Sequence, residues 1–347
     1  MSMRITRREA TLLATGLAFA PRVAFAESPP PALFADFGQQ SSEGAVYEQA
    51  IDKGADFLVA PVISSRDGVL VVAPDNELSL FTDVAHRPEF SARMQDQVVD
   101  GVSAKGWFSE DFSLAELKSL ATSPTIRGGG LRPLPPRGLL LLQDIIDMAR
   151  AGSIRQGRVV GISPRLVRPA YFATRELNLE PRLADLIRLN GYNSMAAAMI
   201  VQARDPAALK ALADLSSVRR VQLIDAEGTP TDPSAMHFET MIENNGLRAV
   251  AGWANAIGPV ESLLIHSGAK GTILATDLAR AAHQAGLAVY GRAAAPAPHE
   301  QLGALRARLS ALYLAGVDGV MCADIGLAVR ARGNALNRAR RQGEDVY

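Results

Sequence analysis

The 347-residue chain is 48% hydrophobic and carries 36 basic against 36 acidic side chains. A chain this apolar buries a large core, which excludes intrinsic disorder as its overall state, and zero net charge excludes an electrostatic nucleic-acid binder. Its one cysteine, Cys322, excludes an intrachain disulfide and a cysteine-rich zinc site and reads as a buried, inert thiol.

In chain order, the first 26 residues read as an address. Thr6-Arg7-Arg8-Glu9-Ala10-Thr11-Leu12-Leu13 is a twin-arginine pattern, Ala14 to Ala20 is a short apolar run, and Ala24-Phe25-Ala26 is a small-x-small cleavage site. That run falls far short of the ~20 residues that cross a bilayer, and no later segment is apolar for long enough. The expectation is a leader over residues 1–26 and a soluble periplasmic domain over 27–347, without a membrane span.

After the spacer Ser28-Pro29-Pro30-Pro31, short apolar runs alternate with amphipathic stretches. Strands are predicted at Ala32–Phe37, Phe57–Ile63, Val69–Ala73, Val159–Ile162, Met199–Gln202, Arg220–Ile224, Ala256–Gly258, Leu287–Gly291 and Gly319–Met321. Helices are predicted at Ala45–Lys53, Leu114–Leu120, Leu141–Ala149, Pro181–Leu189, Pro206–Leu215, Ala275–Ala285 and Leu302–Leu314. Ser113 and Glu116 form a capping-box pattern, and Gly54, Gly152, Gly191, Gly286 and Gly316 read as helix stops. Ser64-Arg66-Asp67-Gly68 reads as a tight turn between the second and third strands. Residues 76–136 form a long insertion, with Gly128-Gly129-Gly130 as a flexible excursion. The arginine-rich tail, Gly333 to Tyr347, reads as a solvated helix or frayed end. About eight strand–helix repeats fit a closed (β/α)8 TIM barrel, a fold whose one domain runs to about 250 residues or more.

Several stretches resemble the secreted glycerophosphodiester phosphodiesterase family. Gly54-Ala55-Asp56-Phe57-Leu58 and Asp67-Gly68-Val69-Leu70-Val71-Val72 resemble its second and third strands. Thr82-Asp83-Val84-Ala85 and the run Gly106-Trp107-Phe108-Ser109-Glu110-Asp111-Phe112-Ser113-Leu114-Ala115-Glu116-Leu117 resemble its insertion. Leu142-Gln143-Asp144-Ile145-Ile146-Asp147, Val221-Gln222-Leu223-Ile224, Ile257-Gly258-Pro259 and Ala315-Gly316-Val317-Asp318-Gly319-Val320 match more weakly. The resemblance implies a TIM barrel and cleavage of glycerophosphodiesters to glycerol 3-phosphate and an alcohol. It implies two histidines for proton transfer and one calcium or magnesium ion held by carboxylates.

At the implied site positions this chain departs from the family. Where the family has His-Arg-Gly, it reads Asp36-Phe37-Gly38. Gln40-Ser41-Ser42-Glu43 stands for a Pro-Glu-Asn-Thr-like stretch, Val59-Ala60-Pro61 for Glu-x-Asp, Pro74-Asp75 for His-Asp, and Pro164-Arg165-Leu166-Val167 for Pro-Glu-x-Lys. Valine and proline side chains offer a hard cation no oxygen. The five histidines, His86, His237, His266, His283 and His299, offer no pair at matched strand ends and read as surface or helix-face residues.

Polar groups expected at the barrel mouth are Asp36, Asp75, Arg165, Gln202, Tyr290, Arg292 and Asp324. Two roles are open for Arg165: its guanidinium substitutes for the ion and holds a phosphate or carboxylate, or it bridges Asp36 or Asp75 and closes the pocket. The expected binding set is Arg165, Asp36, Asp75, Gln202 and Arg292, with no catalytic residue, metal ligand or cofactor assigned. The expected function is a catalytically impaired relative that binds an anionic small molecule or a protein partner. The alternative is a working phosphodiesterase.

Overall fold

The computed structural model describes residues 30–38, 44–122, 138–231, 235–268, 272–297 and 300–342, except the side chains of 339, 340 and 342. The twin-arginine leader, Gln40 to Glu43, the triglycine at 128–130 and His299 lie outside the described residues.

The chain begins with β1 (Ala32–Ala35), α1 (Gly44–Asp52) and the long β2 (Phe57–Ser64), which turns back into β3 (Leu70–Val72). The insertion follows, with the hairpin β4 (Gln95–Val99) and β5 (Val102–Gly106) and the capped helix α2 (Leu114–Ser119). Then come β6 (Leu140–Leu141), α3 (Leu142–Gln156), β7 (Gly161–Leu166), α4 (Pro169–Thr174), α5 (Leu179–Leu189), β8 (Ile200–Ala203), α6 (Pro206–Leu215) and β9 (Arg219–Ile224). The chain closes with α7 (Phe238–Met241), α8 (Asn244–Val250), β10 (Ala256–Pro259), α9 (Glu261–Leu264), the hairpin β11 (Ile265–Ser267) and β12 (Ile273–Ala275), α10 (Leu278–Gln284), β13 (Ala288–Arg292), α11 (Leu302–Leu314), β14 (Gly319–Cys322) and α12 (Ile325–Gln342).

Eight parallel strands run β1-β2-β7-β8-β9-β10-β13-β14, and β14 pairs with β1 to close the barrel. This is a TIM barrel. β3 pairs antiparallel to the far end of β2, so it extends the wall rather than joining the ring. Alternation along each strand splits the core in two. Phe34, Val59, Ile200, Val221, Leu223, Ala256, Tyr290 and Met321 fill the barrel interior, and the opposite faces pack against the helices. Glycine makes room where aromatic rings crowd: a Cβ on Gly161 would sit 2.4 Å from the Phe57 ring, and one on Gly319 would sit 2.8 Å from the Ala32 carbonyl oxygen.

Several boundaries differ from the sequence reading. Gly152 lies buried inside α3 because the helix needs a small residue against Ile51, and the helix ends instead at left-handed Gly157. Ala275 belongs to β12, so the helix expected from Ala275 begins at Leu278. The tail is helical from Ile325 through Gln342. The capping box at Ser113 and Glu116 is formed as expected.

Candidate active site

The mouth, at the C-terminal ends of the strands, holds a cavity of about 280 Å³ whose lining includes Arg165, Arg168, Arg204 and Arg292 and the carboxylates of Asp75, Asp100 and Asp205. Of these arginines Arg165 is the least exposed. It points inward from β7 because it alternates with inward Ser163 and shares a register row with Pro61 on β2 and Gln202 on β8. Its Nη1 donates to Asp36 Oδ1 at 3.2 Å and its Nη2 to Asp36 Oδ2, a two-pronged bond across β2. Its Nε and Nη2 donate to Gln202 Oε1, both at 3.2 Å. Gln202 in turn donates to Ser163 Oγ at 2.7 Å, and Ser163 donates to the Ile200 carbonyl at 2.6 Å. Burial works to raise the pKa of Asp36, but the charge and hydrogen bonds of Arg165 outweigh it and hold this carboxyl below the usual aspartate range.

A second cluster forms the rim. Arg168, just past β7, grips both oxygens of Asp75 through Nε at 2.8 Å and Nη2 at 3.0 Å. Its Nη1 donates to Asp100 Oδ2 at 2.7 Å. Asp100 comes from the two-residue turn of the β4–β5 hairpin, so the insertion reaches onto the mouth. Hydrogen bonding to Asp75 raises the pKa of Arg168, so it is a permanent cation there. Behind the rim, Tyr171 Oη lies 2.7 Å from Gln97 Oε1 and in contact with Glu110 Oε1. Burial raises the Glu110 pKa.

The third cluster centres on Asp225, after β9, held by Arg292 and Arg204. Arg292 also donates to the carbonyls of Gly258 at 2.9 Å and Ile224 at 2.8 Å. Burial lowers the Arg292 pKa even with Asp225 beside it.

These donors do not fit a divalent cation. The oxygens of Asp36, Asp75 and Asp225 are each taken by guanidinium groups, and four arginines line the same cavity. Among the described residues no three His, Cys, Asp or Glu side chains cluster in a way that could hold a metal. The described histidines sit elsewhere: His86 in a short 3-10 turn of the insertion, His237 before α7, His266 on β11, and His283 on α10 against Asp318 at 2.8 Å.

Of the residues expected at the mouth, Asp36, Arg165 and Gln202 form one network, and Asp75 and Arg292 line the same cavity. Asp75 pairs with Arg168 rather than Arg165. Tyr290 is not at the mouth: it faces the interior one inward position below Arg292, its ring 4.8 Å from that of Phe34. Asp324 accepts from the Leu327 N–H at 2.9 Å and caps α12, because the chain turns into that helix directly after β14. Arg168, Asp100, Arg204 and Asp225 were missed by the sequence reading. The Asp100-Gly101 pair between valine-rich flanks is a strong hairpin signal that could have found β4 and β5, although it does not say where the tip lands.

The chain matches the model of the glycerophosphoryl diester phosphodiesterase family over residues 45–325. It is 24% identical to a glycerophosphodiester phosphodiesterase of Arabidopsis thaliana over 256 residues, 70% of this chain and 68% of that protein. The fold is similar to a crystal structure of a glycerophosphodiester phosphodiesterase from Agrobacterium tumefaciens, with TM-score 0.53 and 15% identity over 86% of this chain and 99% of that one. It is also similar to an Oleispira antarctica phosphodiesterase in complex with its product sn-glycerol-3-phosphate, with TM-score 0.54 and 16% identity over 87% and 96% of the two chains.

Proposed function

Because the chain belongs to the glycerophosphoryl diester phosphodiesterase family, we propose that it is an exported member that binds an anionic phosphate compound at the barrel mouth without hydrolysing it. The observation that carries this reading is Arg165, a permanent cation whose fork holds Asp36 at the mouth of the barrel. Diester hydrolysis needs a proton donor for the leaving alkoxide and a counter-charge for the phosphoryl oxygens. The arginines supply the second of these and cannot supply the first near neutral pH. On these grounds the reading assigns the site binding without turnover. Arg292 carries the anion-binding role in this reading, since its bonds to described residues run through Nε and Nη2 and it lines the cavity. Export to the periplasm rests on the twin-arginine pattern at residues 6–13.

A second reading, a working phosphodiesterase, is favoured by the activity named for the Arabidopsis relative and by the glycerol 3-phosphate held in the Oleispira enzyme. One experiment separates the two. Purified protein is titrated calorimetrically with glycerol 3-phosphate and assayed against glycerophosphocholine with added calcium or magnesium. The expected outcome is saturable binding, weakened about tenfold by Arg292→Lys, which keeps the charge and loses the planar fork, with no release of choline. Turnover that EDTA abolishes would overturn the binding reading in favour of the enzyme.

A further inference from the structure

The insertion supplies the mouth with a ligand of its own. Asp100 reaches the cavity from the tip of the β4–β5 hairpin and puts Oδ2 on Nη1 of Arg168 at 2.7 Å. Arg168 already meets Asp75 with its other face, so two carboxylates share one guanidinium. The arrangement is incomplete on the Asp100 side, where Oδ1 is buried with no hydrogen-bond partner among the described residues.

The backbone is unusual at both ends of this contact. Three non-glycine residues among those described have positive φ, and two of them are Asp100, at 51°, and Arg168, at 50°. Aspartate tolerates the left-handed region, whereas arginine does so rarely. Strain of this kind gathers at ligand clamps and switches, where the surrounding structure holds it in place.

Resting on the anion-binding reading above, we infer that Asp100 is a tethered competitor: its carboxylate occupies the position on Arg168 that the phosphate group of an external phosphomonoester takes, and ligand entry releases the hairpin. A phosphomonoester dianion brings more charge and three acceptor oxygens to Nη1, and it relieves a carboxylate that has one oxygen buried and unbonded. The hairpin can leave without unzipping the barrel, because β4 and β5 pair only with each other. What holds it besides Asp100 is a set of side-chain contacts, from Gln97 to Tyr171 and Arg175 on and beside α4 and from Gln95 and Gln97 to Asp111, together with the buried side chain of Val99.

The test compares wild type with Asp100→Asn, which suits a left-handed turn and removes the charge. Calorimetry uses inorganic phosphate, glycerol 3-phosphate and glycerate, the last a carboxylate without phosphorus. Hydrogen exchange follows the amides of residues 95–106. Both phosphate probes are expected to bind the variant about tenfold more tightly than wild type, with glycerate gaining less. Glycerol 3-phosphate should speed exchange in the wild-type hairpin, and the variant should exchange fast without it. Equal affinity in the two proteins, or a hairpin that the probe slows, would overturn the competitor while leaving the binding site intact. Absence of binding to either protein would overturn both.

Discussion

The floor and the rim of the mouth each set an arginine against aspartate, and they are built differently. At the floor, Arg165 and Asp36 pair one to one, with side chains 17% and 13% exposed, on ordinary backbone and backed by Gln202 and Ser163. At the rim, Arg168 is 31% exposed, sits at positive φ and divides itself between two carboxylates from separate segments. A satisfied buried pair is costly to break, so the floor acts as a fixed strut. A shared and partly solvated arginine has competing partners of similar strength, so the rim is where the site can rearrange.

Mutations can break that contrast. The largest effect is expected from Arg165→Leu, which strands the Asp36 carboxylate. Urea unfolding should show a loss of about 3–5 kcal/mol, with much of it recovered when Asp36→Asn is added. A single-variant loss below about 1 kcal/mol would place the floor pair in the same class as the rim. At the rim, Arg168→Ala should cost only about 1–2 kcal/mol because solvent screens the pair. Arg168→Gly should be more stable than the alanine variant by about 1 kcal/mol, since glycine accepts a φ of 50° without strain. A glycine variant no better than alanine would remove strain from the account of the rim.

The smallest effect concerns pH. Asp36, with its lowered pKa, contributes stability that is fully present above the ordinary aspartate value and is lost as pH falls through the lowered one. Glu110, behind the rim, runs the other way. Burial raises its pKa, so the folded state keeps a proton the unfolded chain has released, and stability falls as pH rises from the ordinary glutamate range through the raised value. Glu110→Gln mimics the protonated acid, and the melting temperature of that variant should lack this slope. A slope unchanged from wild type would mean that Glu110 is ionised beside Tyr171.

Much of the barrel could be read from the chain because strand and helix periods are local. Each of the nine predicted strands overlaps an observed one, with eight in the ring and Leu70–Val72 beside it. The hairpins β4–β5 and β11–β12 went unread: their short strands carry exposed residues on both faces and lack an alternating apolar pattern. Arg165, Asp36 and Gln202 were legible as strand-end residues. Arg168 and Asp225 were not, because neither stands at a position where the family resemblance implies a site residue.

The chain by itself determined which side chains stand at the ends of the strands, since a two-residue period assigns every inward position once the strands are known. Only the closed barrel decided which charges meet. Arg165 and Asp36 lie 129 residues apart, on β7 and β1, with β2 between them offering only inward Val59 and Pro61. Arg165 therefore takes Asp36 across the interior, while Asp75, on the extended wall beyond β2, goes to Arg168. Which partner each charge finds is a matter of distance in the folded barrel, and nothing in local sequence encodes that distance.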